Sequence, residues 1–184
     1  MEIVLLRHGK PRVELSGYFS AKELKNLVLA YTKSNIKDRP SETLKKSFKD
    51  HYVVCSDLLR SIESAKNLNF KNIHVSDELY RETDIPHFDD SFLKLPIMVW
   101  LIFFRVLWLF GFSKNGEPYA QAKIRSKQAA AKLVGLAESN EKIIVVGHGL
   151  MNRLIGYQLE KKGWQASKRE GKRYWEFKKY TFSP

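Results

Sequence analysis

Four consecutive apolar residues near the start of the chain, residues 3–6, lead directly into Arg7, His8 and Gly9. A continuous apolar run bounded by turn residues predicts a strand that is buried on both faces of a sheet. Ligands of open α/β sheets bind at the carboxyl ends of such strands, and His8 falls at that end. A single histidine near a strand end is more often structural, so its role depends on what else the chain brings to the same edge.

A second strand of the same kind lies in the other half of the chain. Residues 143–146 are all apolar and β-branched, and Gly147, His148 and Gly149 follow them. The pattern repeats that of the first strand, which predicts two strand-end histidines at one edge of the sheet.

A cation and a carboxylate are predicted near the same edge. Residues 51–55 read as a strand, and Ser56 and Asp57 then predict a helix start whose first turn carries Arg60. An arginine there is either a surface residue or one that shares an anion with the helix N-terminus. The acidic stretch 77–84 could supply a general acid from a loop near the strand ends.

Two further segments have clear local patterns. Ser20 and Glu23 fit the capping box of a helix, and residues 119–138 form an Ala- and Lys-rich stretch with strong helix propensity. Residues 174–182 alternate in the manner of a half-buried edge strand.

Length, cysteine content and charge limit the class of protein. A chain of 184 residues is expected to form a single domain, 1–184. The single Cys55 and the absence of a secretory pattern after Met1 favour the cytoplasm. The net charge of +12 favours anionic partners: small phosphorylated molecules, nucleic acid or an acidic membrane surface. No nucleic-acid-binding motif occurs, so we expect no nucleic-acid partner, and no ligand cluster suggests a metal site.

Residues 97–112 are apolar except for Arg105, and Pro96 and Gly111 bound them as a helix. We expect this helix to be the buried part of a cap insertion at about 86–116, above the predicted site. An interface with a second copy of the chain and a contact with a membrane surface are the alternatives, because exposed apolar patches usually bind something. A membrane span is a third reading, although about 20 apolar residues are needed for one.

Four motifs together resemble the histidine phosphatase superfamily, the phosphoglycerate-mutase-like fold, from residue 3 to about residue 155. They are Arg7-His8-Gly9, Ser56-Asp57-Leu58-Leu59-Arg60, Leu79-Tyr80-Arg81-Glu82 and Gly147-His148-Gly149. The resemblance implies an α/β fold: a three-layer α/β/α sandwich with a mostly parallel central sheet and one antiparallel edge strand.

The resemblance also implies the roles of the site residues. His8 would be the nucleophile that forms a phosphohistidine, Arg7, Arg60 and His148 would hold the phosphoryl oxygens, and Glu82 would donate the proton to the leaving group. Guanidinium groups suit the charge spread over a phosphoryl group in transfer. His8 must attack as a neutral imidazole whose other nitrogen is tied to an acceptor.

The chain departs from the family pattern at several positions. Lys10 and Pro11 stand where many members have an acidic residue followed by Thr or Ser, and Glu14 stands where an Asn often binds phosphate. These departures weigh against a phosphoglycerate mutase and leave the hydrolytic residues intact. His87 could contact the substrate, whereas His51 and His74 are expected to be structural.

We therefore expect a phosphatase that hydrolyses small phosphomonoesters through phosphohistidine, without metal or cofactor. The alternatives are a mutase-like phosphotransferase and a phosphohistidine protein phosphatase on the same site. From another class, the alternative is a non-catalytic protein that binds anions or a membrane surface. Glu78 and Asp84 are the less favoured candidates for the proton donor, after Glu82.

Overall fold

A computed structural model describes residues 1–87, 93–168 and 173–183. The strands are β1 (Glu2–Arg7), β2 (Tyr18–Phe19), β3 (Tyr52–Cys55), β4 (Val75–Ser76), β5 (Leu95–Pro96), β6 (Lys142–Gly147), β7 (Gln165–Ala166) and β8 (Phe177–Thr181). The helices are α1 (Ala21–Thr32), α2 (Glu42–Ser47), α3 (Leu59–Asn67), α4 (Ile97–Leu109), α5 (Tyr119–Asn140) and α6 (Gly149–Lys161), with a 3₁₀ turn at Glu78–Tyr80.

Six of the strands form one sheet in the order β4-β3-β6-β1-β8-β7. Neighbouring strands from β4 to β1 are parallel, and β8 runs antiparallel to β1. The two apolar runs, β1 and β6, lie side by side in the middle of the sheet, where both faces are covered. The expected mixed α/β fold with a mostly parallel sheet is confirmed.

Successive residues of β1 feed two different cores. Ile3 and Leu5 pack with residues of α5 and α6, whereas Val4 and Leu6 pack on the opposite face with residues that include Ala65 of α3. This alternation is the two-residue period of a strand, and it produces three layers: helices, sheet, helices.

The C-terminal strand differs in detail from its prediction. It begins at Phe177 rather than at residue 174, because Trp175 has a left-handed φ of 62° that interrupts the extended backbone. It also pairs on its outer side with β7, so the short β7 forms the sheet edge.

The start of α1 agrees with the sequence prediction, whereas the start of α3 does not. Ser20 and Glu23 form the predicted capping box of α1, with both reciprocal hydrogen bonds present. The helix predicted at Ser56 begins instead at Leu59, since the Ser56 hydroxyl accepts from the Leu58 amide in a local turn and Asp57 pairs with Arg81.

The apolar segment forms α4, and the expectation that its side chains are buried in a cap is only half right. Four of them, Ile97, Trp100, Phe104 and Trp108, are buried, and the first three pack in a third core with α1. Leu101 and Leu107 are partly buried against this core, and the remaining apolar side chains of α4 are exposed. In the described parts of the chain, no helix is both long enough and apolar enough to cross a membrane.

Candidate active site

The two strand-end histidines meet at the carboxyl edge of the sheet. Arg7 and Gly147 are register partners on β1 and β6, and the His8 amide donates to the Gly147 carbonyl at 3.0 Å. The ring centroids of His8 and His148 are therefore only 5.0 Å apart. Parallel neighbouring strands of equal register deliver both histidines to one place, as the sequence predicts.

The tautomer of His8 follows from its hydrogen bonds. Nδ1 lies 2.7 Å from the Gly9 carbonyl oxygen, which can only accept, so Nδ1 carries the proton. Nε2 therefore has the free lone pair, and it accepts a hydrogen bond from Nε of Arg60 at 3.2 Å.

His8 is neutral in this setting. Burial lowers its pKa, the charge of Arg60 lowers it further, and the hydrogen bond to Gly9 only partly opposes them, so that its pKa falls from 6.5 to about 3. Because Nδ1 of this neutral imidazole carries the proton, Nε2 is the nucleophilic atom.

Arg60 is brought to His8 by the first turn of α3, which follows β3. Its side chain is 2 % exposed, and it donates to the Thr32 carbonyl at 3.0 Å while lying over the Tyr31 ring. Burial lowers the pKa of Arg60 below its ordinary value, yet a guanidinium remains cationic at neutral pH. A buried cation therefore faces the nucleophilic nitrogen.

His148 is fully buried at the N-terminus of α6. Its Nε2 shares a hydrogen bond of 3.2 Å with the Ser61 hydroxyl, and its Nδ1 has no hydrogen-bond partner among the residues that the structure describes. Burial lowers the pKa of His148 well below its usual value, and the positive charge of Arg60 acts in the same direction. One nitrogen of this neutral ring is thus left to contact a ligand.

Arg7 completes the group. Its guanidinium lies 4.2 Å above the Tyr174 ring centroid, and a Cβ at Gly149 would be 3.4 Å from Arg7 Nε, which places Arg7 beside the first turn of α6. We call Arg7, His8, Arg60 and His148 the His–Arg cluster. Two guanidiniums and a helix N-terminus at one point favour a phosphoryl-like anion.

Glu82 is held against the same helix N-terminus. Its carboxylate accepts from the backbone amides of Leu150 at 3.2 Å and Met151 at 3.0 Å, both in the first turn of α6, and from Thr83 at 3.1 Å. Its negative charge acts on Arg60. The structure therefore brings Glu82 to the cluster that contains His8, whereas Glu78 is exposed and pairs with Arg81.

Two tyrosines that sequence reasoning missed close over the cluster. Their hydroxyl groups lie 3.3 Å apart, Tyr31 from α1 and Tyr174 from the chain before β8, and the Tyr174 ring centroid is 5.7 Å from that of His8. Gly9 permits this closure, because a Cβ there would lie 2.4 Å from the Trp175 side chain. The sequence pattern placed Tyr174 in a strand, and nothing local indicates that it faces His8.

Two arginines outside the His–Arg cluster hold the loop that carries Glu82, and one of them, Arg125, was not predicted from the sequence. Arg125 of α5 forms two hydrogen bonds with the Glu117 carboxylate, at 2.8 and 2.6 Å. The same guanidinium donates to the carbonyls of Leu79 and Arg81, immediately before Glu82. Arg105 of α4 donates to the carbonyls of Thr83 and Asp84, immediately after it.

The remaining polar residues named from the sequence lie outside the cluster. Glu14 pairs with Lys37, and the Lys10 amide donates to the Asp38 carboxylate at 2.7 Å. His87 is buried and its Nδ1 lies 3.3 Å from the Ile85 carbonyl. His51 pairs with Glu2, and Nδ1 of His74 accepts from the Val53 amide, which are structural contacts, as expected.

Comparison with solved structures finds the same fold at low sequence identity. The product of an open reading frame of Mycobacterium tuberculosis has a TM-score of 0.60 and 20 % identity, covering 86 % of this chain and 79 % of that one. A mycobacterial glucosyl-3-phosphoglycerate phosphatase in complex with VO3 has a TM-score of 0.58 and 20 % identity, covering 87 % and 82 %.

A phosphoserine phosphatase from Entamoeba histolytica, in complex with 3-phosphoglyceric acid, has a TM-score of 0.56 and 15 % identity, covering 98 % of this chain and 90 % of that one. No sequence among the curated proteins matches this chain. The family model of the histidine phosphatase superfamily (branch 1) matches residues 3–173, nearly the whole length. The chain therefore belongs to branch 1 of the histidine phosphatase superfamily.

Proposed function

We propose that this protein is a phosphatase that hydrolyses small phosphomonoesters through a phosphohistidine on His8. The observation that carries the proposal is the state of His8: Nδ1 is tied to the Gly9 carbonyl, and the lone pair of Nε2 faces the Arg60 guanidinium. A neutral imidazole beside a buried cation suits attack on an anionic phosphoryl group.

In the first step, the phosphoryl oxygens of the substrate bind Arg7, Arg60 and the unpartnered nitrogen of His148. As the Arg60 guanidinium moves its hydrogen bond from Nε2 of His8 to a phosphoryl oxygen, Nε2 forms a bond to phosphorus and the bond from phosphorus to the leaving oxygen breaks. Glu82 reacts from its protonated form and gives its proton to that oxygen, so an alcohol departs and the carboxylate that accepts from the Leu150 and Met151 amides remains.

In the second step, water attacks the phosphorus atom and the bond to Nε2 breaks. The Glu82 carboxylate takes a proton from the attacking water, which returns the acid to its starting state and releases phosphate. The positive charges of Arg7 and Arg60 face the charge that develops in both steps, so we expect turnover without added metal.

Hydrolysis is favoured over mutase-like transfer by the residues beside the cluster. A mutase must retain and reorient a phosphorylated product. Glu14, at a position where relatives often bind phosphate, instead pairs with Lys37 on the surface. Two of the structural neighbours are phosphatases of small phosphorylated metabolites, which supports a substrate of that class.

The free thiol of Cys55 supports a reducing compartment such as the cytoplasm.

The role of Glu82 is tested by following the first turnover of Glu82→Gln with two substrates. With p-nitrophenyl phosphate, whose leaving group departs without protonation, we expect a near wild-type burst of one p-nitrophenolate per enzyme, followed by slow turnover. With an alkyl phosphate, the first turnover itself should slow by about 10²- to 10⁴-fold, the usual contribution of a general acid.

The matched control is Glu78→Gln, which removes an exposed carboxylate from the same stretch and should behave as wild type. Equal losses in both variants, or an unchanged Glu82→Gln enzyme, would remove Glu82 from the mechanism. Absence of any turnover by the wild type across a broad panel of phosphomonoesters would refute the phosphatase proposal itself.

A further inference from the structure

The outer face of α4 is an apolar surface without a covering element among the described residues. Its exposed side chains, which we call the α4 stripe, are Met98, Val99, Ile102, Phe103, Val106, Leu109 and Phe110. At 3.6 residues per turn they share an arc of about 140° that contains no polar residue. The opposite arc carries the four buried residues, and Arg105, the one charged residue of the helix, lies between the two arcs.

The α4 stripe is as large as the largest apolar patches found on monomeric proteins. Its members are between 42 % and 87 % exposed. A fully exposed large apolar side chain presents roughly 150–250 Å², so the stripe covers on the order of 600 Å². That value reaches the upper end of the largest apolar patches on monomeric proteins, about 300–600 Å², and such patches mark interaction sites.

The charged residues within the segment that carries the α4 stripe have one sign. From residue 93 to residue 116 the sequence contains three charged residues, Lys94, Arg105 and Lys114, and none is acidic. Lys94 and Lys114 are exposed, one at each end of the helix, and Lys94 lies 4.0 Å from Glu23 of α1. Arg105 is turned inward to the carbonyls of Thr83 and Asp84.

These charges argue against a second copy of the chain as the occupant. A two-fold interface through the stripe would bring lysines of one copy near lysines of the other, and the segment itself supplies no carboxylate, the acidic side chain beside Lys94 being Glu23 of α1. Each copy also carries a net charge of +12. An anionic surface, in contrast, is attracted by the same flanking lysines.

We infer that the α4 stripe docks on the surface of a membrane that contains anionic lipids. The apolar side chains enter the boundary between headgroups and acyl chains, while Lys94 and Lys114 contact the headgroups. A helix of 13 residues is about 20 Å long, shorter than the ~30 Å hydrocarbon layer, so it lies along the surface. Through Arg105, the docked helix holds the loop next to Glu82.

Co-sedimentation of the full chain with lipid vesicles tests this inference independently of catalysis. We expect binding to vesicles of phosphatidylcholine with phosphatidylglycerol and much weaker binding to phosphatidylcholine alone. Ile102→Ser combined with Val106→Ser should weaken binding at least tenfold, because both side chains lie at the centre of the α4 stripe. Leu59→Ser combined with Tyr157→Ser, which alters exposed apolar side chains on α3 and α6, should bind as wild type.

A second pair of variants tests the charges. Lys94→Glu combined with Lys114→Glu should lower binding to the anionic vesicles by more than tenfold. Lys66→Glu combined with Lys127→Glu changes the net charge equally at exposed positions on α3 and α5, and it should have a smaller effect. Circular dichroism confirms that each variant is folded.

Four outcomes would overturn the inference. The first is the absence of binding to either vesicle, and the second is equal weakening by the stripe variant and its control. The third is a wild-type protein that does not bind vesicles and forms a dimer in analytical ultracentrifugation, with Ile102→Ser and Val106→Ser together dissociating that dimer. This result would assign the stripe to a second copy of the chain. Binding that does not depend on phosphatidylglycerol would overturn the assignment to an anionic surface.

Discussion

At the scale of single residues, the site depends on the burial of the His8 imidazole beside the guanidinium groups of Arg7 and Arg60. His8 and His148 could be predicted as strand-end histidines because apolar runs and glycines mark those ends in the sequence. Their neutral state could not be predicted, since it requires the burial and the contact with Arg60 that only the folded chain creates. The position of Tyr174 over Arg7 was equally invisible, because it depends on how the chain returns before β8.

The lowered pKa of His8 predicts a pH dependence of stability. Its folded value of about 3 lies below the ordinary 6.5, so the unfolded chain binds more protons between these pH values. The corresponding stability is complete above pH 6.5 and is lost as the pH falls towards 3. Between pH 7 and pH 5, His8 alone should lower the free energy of unfolding by about 2 kcal/mol.

Urea unfolding of the wild type and of His8→Asn at both pH values measures this contribution. The loss of stability on acidification should be smaller in the variant by about that amount. An identical loss in the two proteins would show that the neutral, buried state of His8 is wrong.

At the scale of secondary-structure elements, three helices fix the loop that carries Glu82. The first turn of α6 binds the carboxylate itself, α5 holds the preceding backbone through Arg125, and α4 holds the following backbone through Arg105. The sequence indicated an acidic loop near the strand ends. It could not indicate the partners, because Arg125 bonds to Leu79 across 46 positions of the chain.

Arg125 is therefore a positioning residue for Glu82, and Arg125→Ala should impair proton donation. We expect the first turnover of an alkyl phosphate to slow by about tenfold, since a small displacement of a catalytic group is costly. The first turnover of p-nitrophenyl phosphate should change much less, because its leaving group needs no proton. Stopped-flow and quenched-flow measurements provide the two rates.

The control for this prediction is Arg153→Ala, which removes an exposed arginine from α6 and should leave both rates unchanged. Equal slowing of the two substrates by Arg125→Ala would mean that the ion pair with Glu117 supports the fold in general and does not act through Glu82.

At the scale of the whole molecule, a parallel sheet collects distant parts of the sequence at one edge. β1, β3 and β6 are neighbours, so His8, Arg60 and His148 converge although 140 positions separate the first from the last. The apolar runs and the motif order were sufficient to predict this arrangement. The exposure of half of α4 was not predictable, because an apolar helix in a sequence carries no sign of which side the fold covers.

If the phosphoryl group passes through His8, a phosphohistidine can be trapped on this residue and detected. Glu82→Gln is mixed with p-nitrophenyl phosphate, quenched in alkali and digested, and the peptide containing His8 is examined by mass spectrometry. We expect phosphorylation of His8 that approaches one phosphoryl group per enzyme molecule, and none in the variant that also carries His8→Ala. Turnover of the substrate without a phosphoenzyme, or with the phosphoryl group on another residue, would contradict it.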